Sequence, residues 1–437
     1  MAASCIGVSG GRPIIASFVA FLVLLISSSS SFPASASSAG GGGGNGARAA
    51  FRSGEEMLAW QRIEAQLARV RNVSVKTIQS PDGDVIDCVP THLQPAFDHR
   101  KLRGHKPESE PVERPRITSV NGGDAPVIDG EEHGLLQAWT RSGESCPEGT
   151  IPVRRTTEDD VLRASSARRF GMKARGSGGF ARRDSTGGGG HEHAVGYVSG
   201  GQFYGAKASL NVWPAQVASP AEFSLSQIWI ISGAFGNDLN TIEAGWQVSP
   251  QLYGDNTPRF FTYWTNDAYQ ETGCYNLYCS GFVQTSNRIA IGAAITPISS
   301  YNGRQFDITV LIWKDPKQGH WWLQVGGALV GYWPSSLFTH LGARADMVQF
   351  GGEVAAPPGA PHTPTQMGSG RFAGEGYRRA AYFRNAQVVD WDNSLVSAAG
   401  LRLLADRPGC YDIAGGSGGA WGTYFYYGGP GRNARCP

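Results

Sequence analysis

From His191 to the C-terminus, short runs alternate apolar with polar residues and are broken by Gly, Pro and Asn. A period of two is the pattern of β-strands with one buried face. Such runs are Ala194–Val198, Ala206–Val212, Leu225–Ser232, Thr241–Val248 and Arg259–Trp264, then Phe306–Trp313, His320–Val325, Val348–Val354, Ala381–Asn385 and Trp421–Tyr427. About ten strands with no long helical period predict an all-β domain, a β-sandwich or barrel whose apolar faces are stacked. Upstream the pattern differs. Glu55–Arg71 reads as a helix, Val75–Pro90 as strand, turn and strand around the hairpin signal Asp82-Gly83, and Val127–Arg155 as a second small unit. This half predicts a small mixed domain.

The halves are joined by Arg163–Gly190, which holds seven Lys or Arg, one Asp and a closing run of four Gly. Such a stretch cannot bury enough apolar surface to be ordered, and is expected to be a flexible linker open to nicking. At the N-terminus, Ile14–Ile26 is an apolar core after Arg12 and before the small-residue signature Ala34-Ser-Ala36. That is the form of a secretory signal peptide, too short for a comfortable membrane span. The expected organisation is a signal peptide over 1–36, a propeptide over 37–162, a linker over 163–190 and a mature domain over 191–437.

Cysteine usage agrees with export. Loss of Cys5 with the leader leaves six, and an even number in an exported chain reads as disulfides. Cys274 with Cys279 can close a small loop and Cys410 with Cys436 can staple the C-terminal tail, which leaves Cys88 with Cys146. A metal site at Cys274 and Cys279 lacks further ligands nearby. Asn72-Val-Ser74 is an N-glycosylation acceptor. The chain's 60 glycines in 437 residues fit a turn-rich β protein, and a formal charge of +2 gives no footing for nucleic acid.

Two glutamates carry the chemistry. In Thr241-Ile-Glu-Ala-Gly-Trp-Gln-Val248, alternation puts Glu243, Gly245 and Gln247 on one face and Ile242, Ala244 and Trp246 on the other. In Val348-Gln-Phe-Gly-Gly-Glu-Val354 the order is reversed, with Gln349, Gly351 and Glu353 together. A Glu and a Gln flanking a Gly, shown from the backs of apolar strands, predict a cleft floor where glycine leaves room for a ligand backbone. If the two strands were direct antiparallel neighbours in matching register, the Cβ atoms of Glu243 and Glu353 would lie about 4.5–5.5 Å apart.

These segments resemble the plant neprosin family of secreted glutamic peptidases. The resemblance extends to Gly273-Cys-Tyr-Asn-Leu-Tyr-Cys279, Thr365-Gln-Met-Gly-Ser-Gly370 and Ala381-Tyr-Phe-Arg-Asn385. Upstream, Ser80–Pro90, Gln94–His99 and Cys146–Thr156 resemble the family's activation peptide. The resemblance implies an antiparallel β-sandwich, an acid-activated zymogen silenced by its own propeptide, cleavage of peptides after proline, and Glu243 and Glu353 as the catalytic pair. It implies no cofactor and no metal. Gln247, Gln349, Gly245 and Gly351 are then expected to line the substrate, with Tyr253, Tyr263 and Trp264 as aromatic walls for a proline ring. The expected setting is extracellular, in cell wall or apoplast, or the vacuole. The expected partners are peptide or protein substrates, with no membrane after leader removal and a monomeric state.

Two carboxyl groups suit peptide hydrolysis, since close like charges cannot both ionise easily and the pair can hold one base and one acid. Other chemistries fit less well. His191-Glu-His193 lacks the helical His-Glu-x-x-His arrangement of zinc hydrolases, and Gly368-Ser-Gly370 is not a nucleophile elbow. Glycosidases also use two carboxylates. A non-catalytic sandwich binding cell-wall carbohydrate or protein is the alternative, but a self-inhibiting propeptide has less purpose there.

Overall fold

The computed structural model describes residues 53–117, 137–141, 143–173, 190–357 and 361–437. The expected leader and most of the expected linker lie outside them. Helix α1 (Gly54–Val73) starts where Ser53 accepts the Glu56 backbone N–H at 3.2 Å, with Glu55 and Glu56 in the first turn. The predicted hairpin follows as β1 (Lys76–Gln79) and β2 (Val85–Pro90), then β3 (Arg116–Ile117), β4 (Thr150–Arg154) and the short α2 (Glu158–Leu162). The next strands are β5 (His191–Phe203), β6 (Gly205–Asn211), β7 (Phe223–Ser232) and β8 (Asn240–Val248). After α3 (Pro250–Tyr253) come β9 (Arg259–Thr265), β10 (Val283–Gln284), β11 (Asp307–Lys314), β12 (Trp321–Val325), β13 (Ala328–Trp333) and β14 (Ala345–Ala355). The chain closes with β15 (Ala381–Val389), β16 (Ser394–Ser397), β17 (Arg402–Ala405), β18 (Asp412–Ser417) and β19 (Thr423–Gly428).

Two sheets make the sandwich. One is antiparallel, in the order β17-β5-β14-β7-β8-β9, and the other runs β10-β13-β12-β11-β6-β15-β16-β3, with β19 beside β15 and β18 beside β19. Ile228, Ile242 and Phe350 of the first meet Val310, Trp322 and Phe383 of the second in one buried core. Because alternation sends those side chains inward, Glu243 and Glu353 point from the opposite face of the first sheet. The upstream half forms a separate three-stranded sheet, β1-β2-β4. Its core is shared, since Ile78, Ile86 and Trp139 bury against Ala290 and Ala293 of the downstream half. The three disulfides are Cys88–Cys146, Cys274–Cys279 and Cys410–Cys436, as paired above.

The alternation predicts ten strands that are present and misses β10, β13 and β16 to β18. Most of these are two to four residues long, β18 is glycine-rich, and β13 is a continuous apolar run interrupted by Gly331 at φ +158°. Two expectations need correction. Glu243 and Glu353 do not stand on neighbouring strands: β7 lies between β8 and β14 and is antiparallel to both, so the two glutamate strands run parallel to each other. They do share a face. The second correction concerns the linker, whose composition hides a folded beginning. Residues 163–173 pack on their surroundings: Glu56 accepts from Ser166 Oγ at 2.7 Å and Ala167 N at 2.6 Å, the Phe170 ring lies 4.9 Å from that of Tyr278, and Lys173 is buried.

Candidate active site

Three rows of side chains cross the outer face of the first sheet. In the top row, Gln349, Trp229 and Glu243 stand side by side on β14, β7 and β8, with Tyr263 of β9 beyond. The middle row is Gly351, Gln227 and Gly245, and the bottom row is Glu353, Leu225 and Gln247. The two glutamates are therefore diagonal corners of a patch whose centre is Gln227. The glycines are demanded first by the sheet: a methyl on Gly245 would lie 2.0 Å from Ser226 O, and one on Gly351, at φ +152°, 2.3 Å from Ala194 O.

One ammonium joins the two corners. Lys173 Nζ lies 2.7 Å from Glu243 Oε2 and 3.5 Å from Glu353 Oε2, with all three side chains buried. The carboxylates thus come within reach of a single point between them. Glu243 is held further by Tyr269 OH at 2.6 Å and Thr241 Oγ1 at 2.9 Å, both onto Oε1, and by Gln227 Nε2 at 2.8 Å onto Oε2. Glu353 is held by His191 Nδ1 at 2.5 Å, with His193 Nε2 4.0 Å away and its Nδ1 2.9 Å from Asp406.

Burial alone would raise the Glu353 carboxyl. The charge of Lys173, then the hydrogen bond and charge of His191 and the charge of His193, more than reverse this and hold it well below the usual carboxylate range. Burial likewise works against the Lys173 ammonium, but Glu243 and Glu353 keep its pKa raised. For His193, the hydrogen bond to Asp406 and the charge of Glu353 outweigh burial and raise it. The His-x-His spacing places both rings on Glu353, while Glu192 turns to the other face to meet His362 at 3.1 Å and Arg407 at 3.1 Å.

The structure divides the expected substrate residues. Tyr263 faces the patch, its hydroxyl taking the Lys173 backbone N–H at 3.4 Å. Trp264 does not: it pairs with Ile242 and is buried in the sandwich core, as the parity of adjacent strand residues requires. Tyr253 is occupied, accepting from Gln247 Nε2 at 2.8 Å and Asn276 Nδ2 at 3.0 Å, with the Arg154 and Arg259 guanidinium groups over its ring. Gln349 Nε2 contacts only the Met347 sulfur, at 3.1 Å, among the contacts described. Residues to which the sequence reading gave no role in this site complete it. They are Lys173, Gln227, Tyr269, His191, His193 and Tyr275, whose buried hydroxyl has no hydrogen-bond partner among the described residues. Burial and the charges of Glu353 and Glu243 raise the Tyr275 phenol and keep it a donor.

Comparison with known families agrees with this layout. The neprosin model matches residues 220–430, which contain both glutamates, and the neprosin activation peptide model matches 77–197, which contain Lys173, His191 and His193. The chain belongs to the neprosin family. Its neprosin domain is thus preceded by an activation peptide, the organisation of a peptidase precursor. Among solved structures, Scytalido-glutamic peptidase with a peptide-based transition state analog is 13% identical, over 55% of this chain and 98% of its own, with a TM-score of 0.29. SCP-B, a member of the Eqolisin family of peptidases in complex with the tripeptide Ala-Ile-His, is 13% identical over 55% and 96%, with a TM-score of 0.28. The Ruminococcus gnavus IT-sialidase CBM40 is 14% identical over 42% and 86–87%, with TM-scores of 0.20 and 0.19 for the sialyllactose-bound and free forms, the free form being 12% identical. Likenesses this distant transfer no residue roles to the neprosin domain.

Proposed function

We propose that this chain is an exported glutamic endopeptidase made as a silent precursor, with Glu243 and Glu353 as its catalytic pair. The observation that carries the reading is Lys173, whose ammonium touches both carboxylates where the attacking water and the scissile amide would otherwise sit. Glu353, with His191 in contact and His193 beside it, is suited to take the proton from water. Glu243 is then left as the partner that delivers a proton to the departing amine. Base and acid roles of this kind are each worth roughly 10²–10⁴-fold. Three disulfides support passage through an oxidising compartment.

The walls that remain support a preference for proline. With Trp264 turned inward and Tyr253 engaged, the aromatic surface beside Glu243 is Tyr263, Tyr269 and Tyr275, with ring centres 5.6 and 4.7 Å from that of Tyr263. A rigid ring without an N–H suits such walls, and discrimination of about 1–3 kcal/mol gives preference rather than absolute choice. Mapping cuts by mass spectrometry in a proteome-derived peptide library at acidic pH is expected to show proline enriched before the cut. EDTA and serine-directed inhibitors are expected to leave the profile unchanged. A profile without proline enrichment removes the specificity.

Activation by mild acid needs groups that titrate there, and two histidines away from the glutamates supply them, His105 from the upstream half and His320 from the sandwich. His105 gives a hydrogen bond of 2.7 Å with Tyr332 OH and stands edge-on to His320, 5.7 Å between ring centres. Burial, then the charges of His105 and Lys314, push His320 down to about 4 against the opposite pull of Asp315, while burial lowers His105 against Glu108. A histidine depressed on docking contributes stability above its unfolded value, near 6.5, and that contribution is lost as pH falls from there towards about 4. His320→Gln and His105→Gln are each expected to lower the pH at which half the precursor is processed, by about half a unit to one unit. Gel densitometry over a pH series checks this. An unmoved midpoint in both variants removes the histidines from activation.

A further inference from the structure

Gln227 is the centre of the patch, and half of its carboxamide is unused. Its Nε2 donates to Glu243 Oε2 at 2.8 Å, the same oxygen that Lys173 Nζ takes at 2.7 Å, while its Oε1 is buried without a hydrogen-bond partner among the described residues. The orientation is dictated by the carboxylate. Turned over, the amide would set its oxygen against a carboxylate oxygen and lose the bond to Glu243. An unpaired buried acceptor is costly, and folds carry few of them. Gly351 and Gly245 flank Gln227 on the neighbouring strands, so the middle row sets no other side chain beside its carboxamide, and the two glutamates lie diagonally from it in the rows on either side.

With the glutamate pair taken as the catalytic machinery, we propose that Gln227 anchors the substrate. Once Lys173 leaves, Oε1 accepts a backbone N–H of the bound peptide while Nε2 keeps its hold on Glu243. An acceptor oxygen takes only a donor, and the donor that every peptide carries on its main chain is N–H. Proline has none. The anchored N–H therefore belongs to a neighbour of the proline, and one carboxamide sets the register of the scissile bond against the proton donor. No sequence signal marks this residue, because Leu225-Ser-Gln-Ile-Trp229 has no glycine beside its glutamine.

The test is a cycle of enzyme and substrate changes with the acid-processed protein and a fluorogenic peptide containing one proline. Each non-proline amide near the cut is N-methylated in turn. In the wild type one position is expected to lose roughly ten- to hundred-fold in kcat/KM. Gln227→Met is expected to show that loss already with the parent peptide and no further loss on methylation there. Gln227→Glu, which keeps an acceptor oxygen in place, is expected to retain the sensitivity at acidic pH. Losses that multiply at every position in Gln227→Met, or full activity of that variant, overturn the proposal. So does a wild-type scan with no sensitive position, which needs no folded variant. The Glu353→Gln protein separates the two levels: if it still cleaves, the catalytic pair fails, and if it is dead while the cycle is additive, only the anchoring role fails.

Discussion

Glu353→Gln and Glu243→Gln are each expected to lower kcat by at least about 10²-fold and as much as 10⁴-fold, with circular dichroism and melting of the processed protein close to wild type. Glutamine keeps the shape and one oxygen at each position but can neither remove a proton from water nor deliver one to the leaving nitrogen. The loss should be larger for Glu353. Its carboxylate meets His191 and lies beside His193, so an amide in its place also disturbs the contact with His191. Turnover of a proline-containing peptide at acidic pH measures both variants. A fully active single variant would sink the two-carboxylate mechanism and return the sandwich to a binding role.

Lys173→Met is expected to unlock the precursor. The substitution keeps length and apolar stem while removing the ammonium that Glu243 and Glu353 share, and breaking one side of a buried ion pair costs about 3–5 kcal/mol. The segment around residue 173 should then release. Its remaining ties include the Tyr263 hydroxyl, the bond from Tyr275 N to Gly171 O at 2.7 Å and the Phe170 ring against Tyr278. The sign of the pH dependence follows from both partners. Glu353, depressed in the docked form, supplies stability above the unfolded carboxylate value and loses it only as pH falls through its much lower docked value. Lys173, raised in the docked form, supplies stability below its unfolded value and loses it only in strong alkali. At neutral pH both partners keep this contact in place, so the wild-type precursor should stay silent there while Lys173→Met processes itself. N-terminal sequencing of the fragments at pH 7 checks this, and a silent, intact Lys173→Met precursor would contradict it.

How far the sequence reaches is clearest at particular residues. Alternation alone places Glu243 and Glu353 on the polar sides of apolar strands, because a strand leaves no choice of face. The order of strands is another matter. Nothing local says that Phe223–Ser232 inserts between them, since strand order depends on long-range closure of the sheet. Trp264 shows a signal that was present and outweighed. Adjacent to Tyr263, it must take the opposite face, and the appeal of two aromatic residues together hides that constraint. Lys173 shows the reverse case. Composition describes Arg163–Gly190 as one basic, glycine-rich stretch, and only tertiary contact distinguishes a lysine that enters a pair of carboxylates from six neighbours of the same charge.

His191 and His193 lie at the start of β5, and both rings reach Glu353. The front edge of this strand is thus part of the electrostatic environment of a carboxylate more than 150 positions away in sequence. With the mature chain proposed to begin at His191, loss of three residues there would delete both rings. Under that proposal the position of the cut, counted in single residues, decides whether the two imidazoles stay beside Glu353.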